Sequence, residues 1–132
     1  MTTRKPARKS AARKKTSSRA KGVTFEQVCA LGSELPGVER GTSYGTAALK
    51  VDGKLVARLK EDGETLVVRM DFVSRDMLLK AQPKIFYITD HYRDWPTVLV
   101  RMAEVRTSQM RELLEDSWRL VAPKKRLAEF EG

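Results

Sequence analysis

The sequence has 132 residues, with one cysteine, one histidine and no acid among its first 22 positions. A lone thiol excludes an internal disulfide, and Cys29, beside Val28 in a segment of helical apolar spacing, reads as buried filler. Imidazole metal centres want a second histidine or a thiolate at ligand spacing, and His91 has neither nearby, so no metal site is expected. No apolar run approaches the roughly 18 residues of a membrane span, and the basic N-terminus lacks the apolar stretch of a secretory signal. The expected setting is cytoplasmic, without a membrane partner. A mitochondrial presequence fits poorly, because alanine alone makes a weak apolar face.

Two chemical signatures are present only in part. Gly53-Lys54 is followed by Leu55, so the hydroxyl that holds Mg²⁺ in a phosphate-binding loop is missing, and Gly45 stands too far upstream. Gly41-Thr-Ser-Tyr-Gly45 spells Gly-x-Ser-x-Gly, yet it lacks the strand, sharp turn and helix that expose a nucleophile. No catalytic residue and no cofactor site is assigned, and the chain reads as non-enzymatic.

What the sequence has in excess is positive charge, +9 in all, and it is unevenly placed. Residues 1–22 carry Arg4, Lys5, Arg8, Lys9, Arg13, Lys14, Lys15, Arg19 and Lys21; the 17 cations that remain of 26 balance the 17 acids, so residues 23–132 sum to zero. The first 22 residues have no large apolar side chain after Met1 and cannot offset their ordering entropy, so a disordered basic tail is expected ahead of a single domain at 23–132. Cations on such an arm displace counterions from phosphate and bind DNA without sequence preference. The competing reading is an arm that only solubilises or localises the chain.

The domain alternates helical and strand patterns. Thr24 and Gln27 form a capping box for a helix ending at Pro36-Gly37. Segments 47–51, 54–60 and 65–70 alternate between turns at Asp52-Gly53 and Glu61–Glu64, an antiparallel meander. Ser74 caps a short helix closed by Pro83, strands follow at 85–89 and 97–102, and Thr107 caps a helix with Met110, Leu113, Leu114, Ser117, Trp118 and Val121 on one face. A terminal turn or two carries Lys124, Lys125 and Arg126. The fold class is α+β, an antiparallel sheet with helices packed on one face.

Register decides where the sheet's charge points. A tight turn at Asp52-Gly53 pairs Val51 with Lys54 and Leu49 with Val56; a one-residue bulge pairs Val51 with Leu55 and Leu49 with Ala57. The second hairpin sets Leu59 against Leu66, Ala57 against Val68 and Leu55 against Met70, and the bulged register continues that apolar face. The other face then carries Lys50, Arg58, Lys60 and Arg69 around Val56 and Val67, either as an anion-binding surface or as an ordinary solvated side. The loop Thr89-Asp-His-Tyr-Arg-Asp-Trp95 sets His91, Tyr92 and Arg93 among aromatics, a composition that stacks on bases as readily as it packs a sheet edge.

Five spaced segments, Leu35-Pro-Gly-Val-Glu39, Tyr44-Gly45, Leu49-Lys-Val-Asp-Gly-Lys-Leu-Val-Ala57, Trp95-Pro-Thr-Val98 and Ser117-Trp-Arg-Leu-Val121, resemble the MmcQ/YjbR-like proteins over about residues 24–128. The resemblance implies a CyaY-like, double-wing α+β domain, a bacterial cytosolic setting and DNA binding, and it brings no catalytic residues. Fold analogy alone does not establish function. Two readings follow: a non-enzymatic, sequence-nonspecific DNA-binding protein, nucleoid-associated as a corollary, or a small-ligand or protein-interaction module with a solubilising or localising tail. A monomer is assumed.

Overall fold

The computed structural model describes residues 21–131. The Thr24 hydroxyl accepts the Gln27 N–H (3.1 Å) and the Gln27 side chain accepts the Thr24 N–H (2.8 Å), completing the capping box of α1, Phe25–Gly32. The helix ends at Ser33, short of Pro36-Gly37, because the chain must turn into a strand that the sequence pattern did not announce. That strand, β1 (Val38–Ser43), is an edge with mostly exposed side chains and no apolar alternation to betray it.

Five more strands complete one antiparallel sheet: β2 (Thr46–Val51), β3 (Lys54–Leu59), β4 (Thr65–Arg69), β5 (Phe86–Tyr87) and β6 (Thr97–Arg101), in spatial order β1-β2-β3-β4-β6-β5. Two-residue turns join the first three. Tyr44 and Gly45 (φ 54° and 82°) and Asp52 and Gly53 (φ 49° and 84°) are all left-handed, as a type I′ hairpin turn requires.

The β2–β3 ladder combines both expected registers. Val51 faces Lys54 and Lys50 faces Leu55 from the tight turn, then the register shifts and Leu49 faces Ala57. The extra residue is Val56. The bulge therefore sits three residues inside the hairpin rather than at the turn, and Val51 does not pair with Leu55. At a bulge successive residues share one face. Val56 is accordingly fully buried in the core instead of lying on the outward face. Its carbonyl accepts the Ser117 hydroxyl at 2.6 Å. Pairing of β3 with β4 matches Leu59 to Leu66 and Ala57 to Val68, and goes no further; the Met70 N–H donates to the Pro96 carbonyl (2.8 Å).

The covered face presents Leu49, Ala57, Leu66, Val68, Val98 and Val100 to α1 and to α3 (Thr107–Val121), whose Met110, Leu113, Leu114, Ser117 and Trp118 are buried as their spacing predicts. Cys29 lies in this core, where burial pushes its thiol up. Gly32 allows the approach, since a Cβ there would stand 2.7 Å from Leu49 Cδ1. Two caps differ from expectation. Asp71, not Ser74, caps α2 (Phe72–Ala81), accepting the Ser74 N–H (2.8 Å) and hydroxyl (2.9 Å), and Arg106 rather than Thr107 precedes α3. The last helix, α4 (Lys124–Glu131), is two turns long. It sets Phe130 edge-on to Trp118 (5.2 Å) and ties Arg126 to Asp52 through two 3.2 Å hydrogen bonds.

Candidate nucleic-acid interface

One row across the outward sheet face runs Ala48, Arg58, Val67, Leu99, Tyr87. It is not bare. A 3₁₀ turn at Asp90–Tyr92 crosses it, and Tyr92 packs on Val67 and Leu99 with Tyr87 alongside, a small second core. Arg58 is only 6% exposed, and four acceptors hold its guanidinium. Its Nη2 donates to the Tyr92 hydroxyl (2.6 Å) and its Nη1 to Thr46 Oγ1 (3.1 Å), the Leu59 carbonyl (3.4 Å) and Glu61 Oε2 (3.4 Å), while the guanidinium lies over the Tyr44 ring (5.3 Å). Glu61 stays below the usual carboxylate range through its own backbone N–H, and Arg58 adds to the effect. Neither Arg58 nor Tyr92 therefore belongs to a solvated basic face. Both are interior parts of the loop's seat.

A second arginine, which the sequence reading missed, holds the loop from the other side. Arg75 of α2 is 6% exposed, and its Nη1 donates to the carbonyls of Tyr92 (3.3 Å), Arg93 (3.2 Å) and Trp95 (3.0 Å). Its position on a polar helix surface carries no signal of that role. So anchored, the loop turns His91, Arg93 and Trp95 outward; His91 stands edge-on to Tyr92, and Arg93 pairs with Asp90. Lys50 and Arg69 on the strands and Lys60 just past β3 are half-buried and carry no ion pair among the described residues.

A third group gathers where the basic arm meets the domain. Lys21 bridges to Arg106 and pairs with Glu104 (3.0 Å), and the Gly22 N–H donates to the Val105 carbonyl (2.7 Å). Arg4, Lys5, Arg8, Lys9, Arg13, Lys14, Lys15 and Arg19 lie outside the described residues. Around Lys21, an open concavity of about 540 Å³ is lined by Pro83, Lys84, Arg101 and Glu104. Arg101 is fixed there, donating to the carbonyls of Pro83 (3.1 Å) and Lys84 (3.4 Å) and stacking 4.2 Å above the Tyr87 ring. Tyr87 thus links the arm's root to the outward face. Lys84 and Arg101 were missed because one lies in the turn before β5 and the other closes β6, where periodicity says nothing about neighbours.

Chemically, the arrangement offers point charges and one stacked guanidinium to anions. Among the described residues no three His, Cys, Asp or Glu side chains converge as a metal site, and no helix is long and apolar enough to cross a membrane. Gly41–Gly45 forms the end of β1 and a hairpin turn, not a nucleophile elbow.

Comparison with known proteins places the fold. The crystal structure of Deinococcus radiodurans protein DR2400, with family-model domain DUF419, superposes with a TM-score of 0.66 at 21% identity, covering 82% of this chain and 88% of that one. Uncharacterized proteins Mb2600 of Mycobacterium bovis and Rv2570 of Mycobacterium tuberculosis are 34% identical over 53 residues, 40% of this chain. The match spans about 41% of the length of those relatives. The YjbR family model matches residues 33–120, and the chain belongs to the YjbR family.

Proposed function

We propose that the chain is a non-enzymatic DNA-binding protein that engages duplex phosphates with little sequence preference. The observation that carries the reading is the charge partition: all excess charge lies in residues 1–22, and that segment joins the domain at Lys21, beside Lys84 and Arg101. The arm supplies phosphate affinity, and the root concavity and the exposed His91, Arg93 and Trp95 supply contacts that hold it against the domain. Lys50, Lys60 and Arg69 add weaker charge on and beside the strands. Nucleoid association in the cytoplasm is part of the same proposal.

Full engagement of nine cations gives a slope of about −8 in log K against log salt on B-DNA. The test titrates random duplex DNA with the full chain and with a full-length variant whose nine arm cations are glutamine. The expected result is loss of most of the slope; equal slopes refute the arm's role. The net-zero domain favours a second reading, an interaction module with a localising arm. DNA affinity too weak to measure for the full chain at physiological salt supports that reading instead.

A further inference from the structure

Between them, α2 and α3 enclose an open groove of about 250 Å³. Met70, Met77, Leu78 and Leu113 form its floor, and Glu112 and Asp116 stand on its rim. Met77 is 65% exposed, and its neighbour one turn back, Val73, is 72% exposed, so the apolar floor runs out onto the surface of α2. Neither rim carboxylate carries an ion pair among the described residues, although ten other acids do. Burial, then Glu115 and Glu112, pushes the Asp116 carboxyl up, and Arg119 offsets only part of the effect.

We infer that this groove is a docking surface for the chain's own basic arm. Charge complementarity identifies the occupant: residues 1–20 hold eight cations and no acid, and the domain that bears the groove is neutral overall. Shape agrees, because Lys and Arg lay methylene stems along apolar surface while their heads reach outward to carboxylates. The Met and Leu floor takes the stems, and Glu112 and Asp116 take the heads. Reach agrees as well. The arm leaves the domain at Lys21, which bridges to Arg106 immediately before α3, so the groove begins beside its root. Asp116 stands ten residues along α3 from Arg106, about 15 Å at the helical rise, a span that about five extended residues cover. Arg13, Lys14 and Lys15 stand six to eight residues before Lys21, chain enough for that span. Tethering supplies an effective concentration of the order of millimolar, so about half the molecules dock even when the untethered affinity is only millimolar. The inference stands apart from DNA binding, since it concerns the free protein.

The test uses the full chain with Ser10→Cys carrying a spin label, DNA-free; the buried Cys29 leaves the introduced thiol as the reactive one. At about 0.02 M salt the label should broaden the amides of Met77, Leu78 and Glu112 more than those at the arm's root, and about 0.5 M salt should abolish the difference. E112Q/D116N should abolish it too, while E39Q/E64Q, with the same charge change elsewhere, leaves it in place. Broadening that decays only with distance from Lys21, that survives in E112Q/D116N, or that the control variant equally removes overturns the inference.

Discussion

Replacing Tyr92 by phenylalanine removes one oxygen from the candidate site and tests whether its loop is seated as described. The Tyr92 hydroxyl is the acceptor for Arg58 Nη2 at 2.6 Å, whereas the other three acceptors of Arg58, on Thr46, Leu59 and Glu61, all serve Nη1. Phenylalanine keeps the ring on Val67 and Leu99 but leaves a buried, charged N–H without its partner. Hydrogen bonds to charged groups contribute about 1.5–3 kcal/mol, and that range is the expected loss. Since 1 kcal/mol moves the midpoint of a small domain by about 4–8 °C, Tm should fall by roughly 10 °C. Urea unfolding should show a lower midpoint with an unchanged m-value, since the fold and its buried area persist. A double-mutant cycle with Arg58→Met isolates the pair, and a coupling of at least about 1 kcal/mol is expected for groups in direct contact. A Tyr92→Phe chain within about 0.5 kcal/mol of the parent, or strict additivity with Arg58→Met, refutes the buried Arg58–Tyr92 linkage and returns Arg58 to solvent.

Arg75→Met, which removes three carbonyl contacts, should raise hydrogen exchange at the Arg93 and Trp95 amides about 10–100-fold, the equivalent of one to two charged hydrogen bonds, as mass spectrometry or NMR would show. Ser117→Ala leaves the Val56 carbonyl unpaired in the core and should cost about 1–3 kcal/mol in urea unfolding; a neutral result removes the bulge's dependence on α3. The Arg126 hydrogen bond holds the Asp52 carboxyl below its usual range, so its contribution is present at neutral pH and is lost as pH falls through the folded-state value. Asp52→Asn should therefore flatten the stability curve below about pH 4, measured by thermal unfolding across pH. Asp116 is shifted upward, by burial first, so its ionised form is disfavoured in the folded state as pH rises; Asp116→Asn should raise Tm at neutral pH, with the gain vanishing in acid.

Much of the framework was legible because it rests on local rules. Thr24 and Gln27 cap a helix by reciprocal hydrogen bonds that involve only their own neighbours, and α3 buries the residues its 3.6-residue period selects. The α+β class, the meander and the two further strands follow from the same kind of signal. β1 escaped because an exposed edge strand has no buried face to impose alternation, and Val38-Glu-Arg-Gly-Thr-Ser43 shows none. The bulge was foreseen, but its place was not. The bulged Val56 carbonyl accepts from Ser117, 61 residues away, a contact without local trace.

The site was less legible than the fold, and the reason lies in what alternation can report. Period two assigns Arg58 to the outward face correctly, yet says nothing of what covers that face. The cover comes from a 3₁₀ turn 32 residues downstream, whose Tyr92 falls on Val67 and Leu99. Residue type held a clue that charge alone does not. Among the described residues the two buried cations, Arg58 and Arg75, are arginines, whose planar fork of five donors can satisfy several acceptors at once, while Lys50 and Lys60 stay half-buried. An inward Arg binds the loop to the sheet; it cannot at the same time bind phosphate. Lys21, Lys84 and Arg101 instead gather around one concavity at the arm's root, apart from the half-buried Lys50, Lys60 and Arg69 of the outward side.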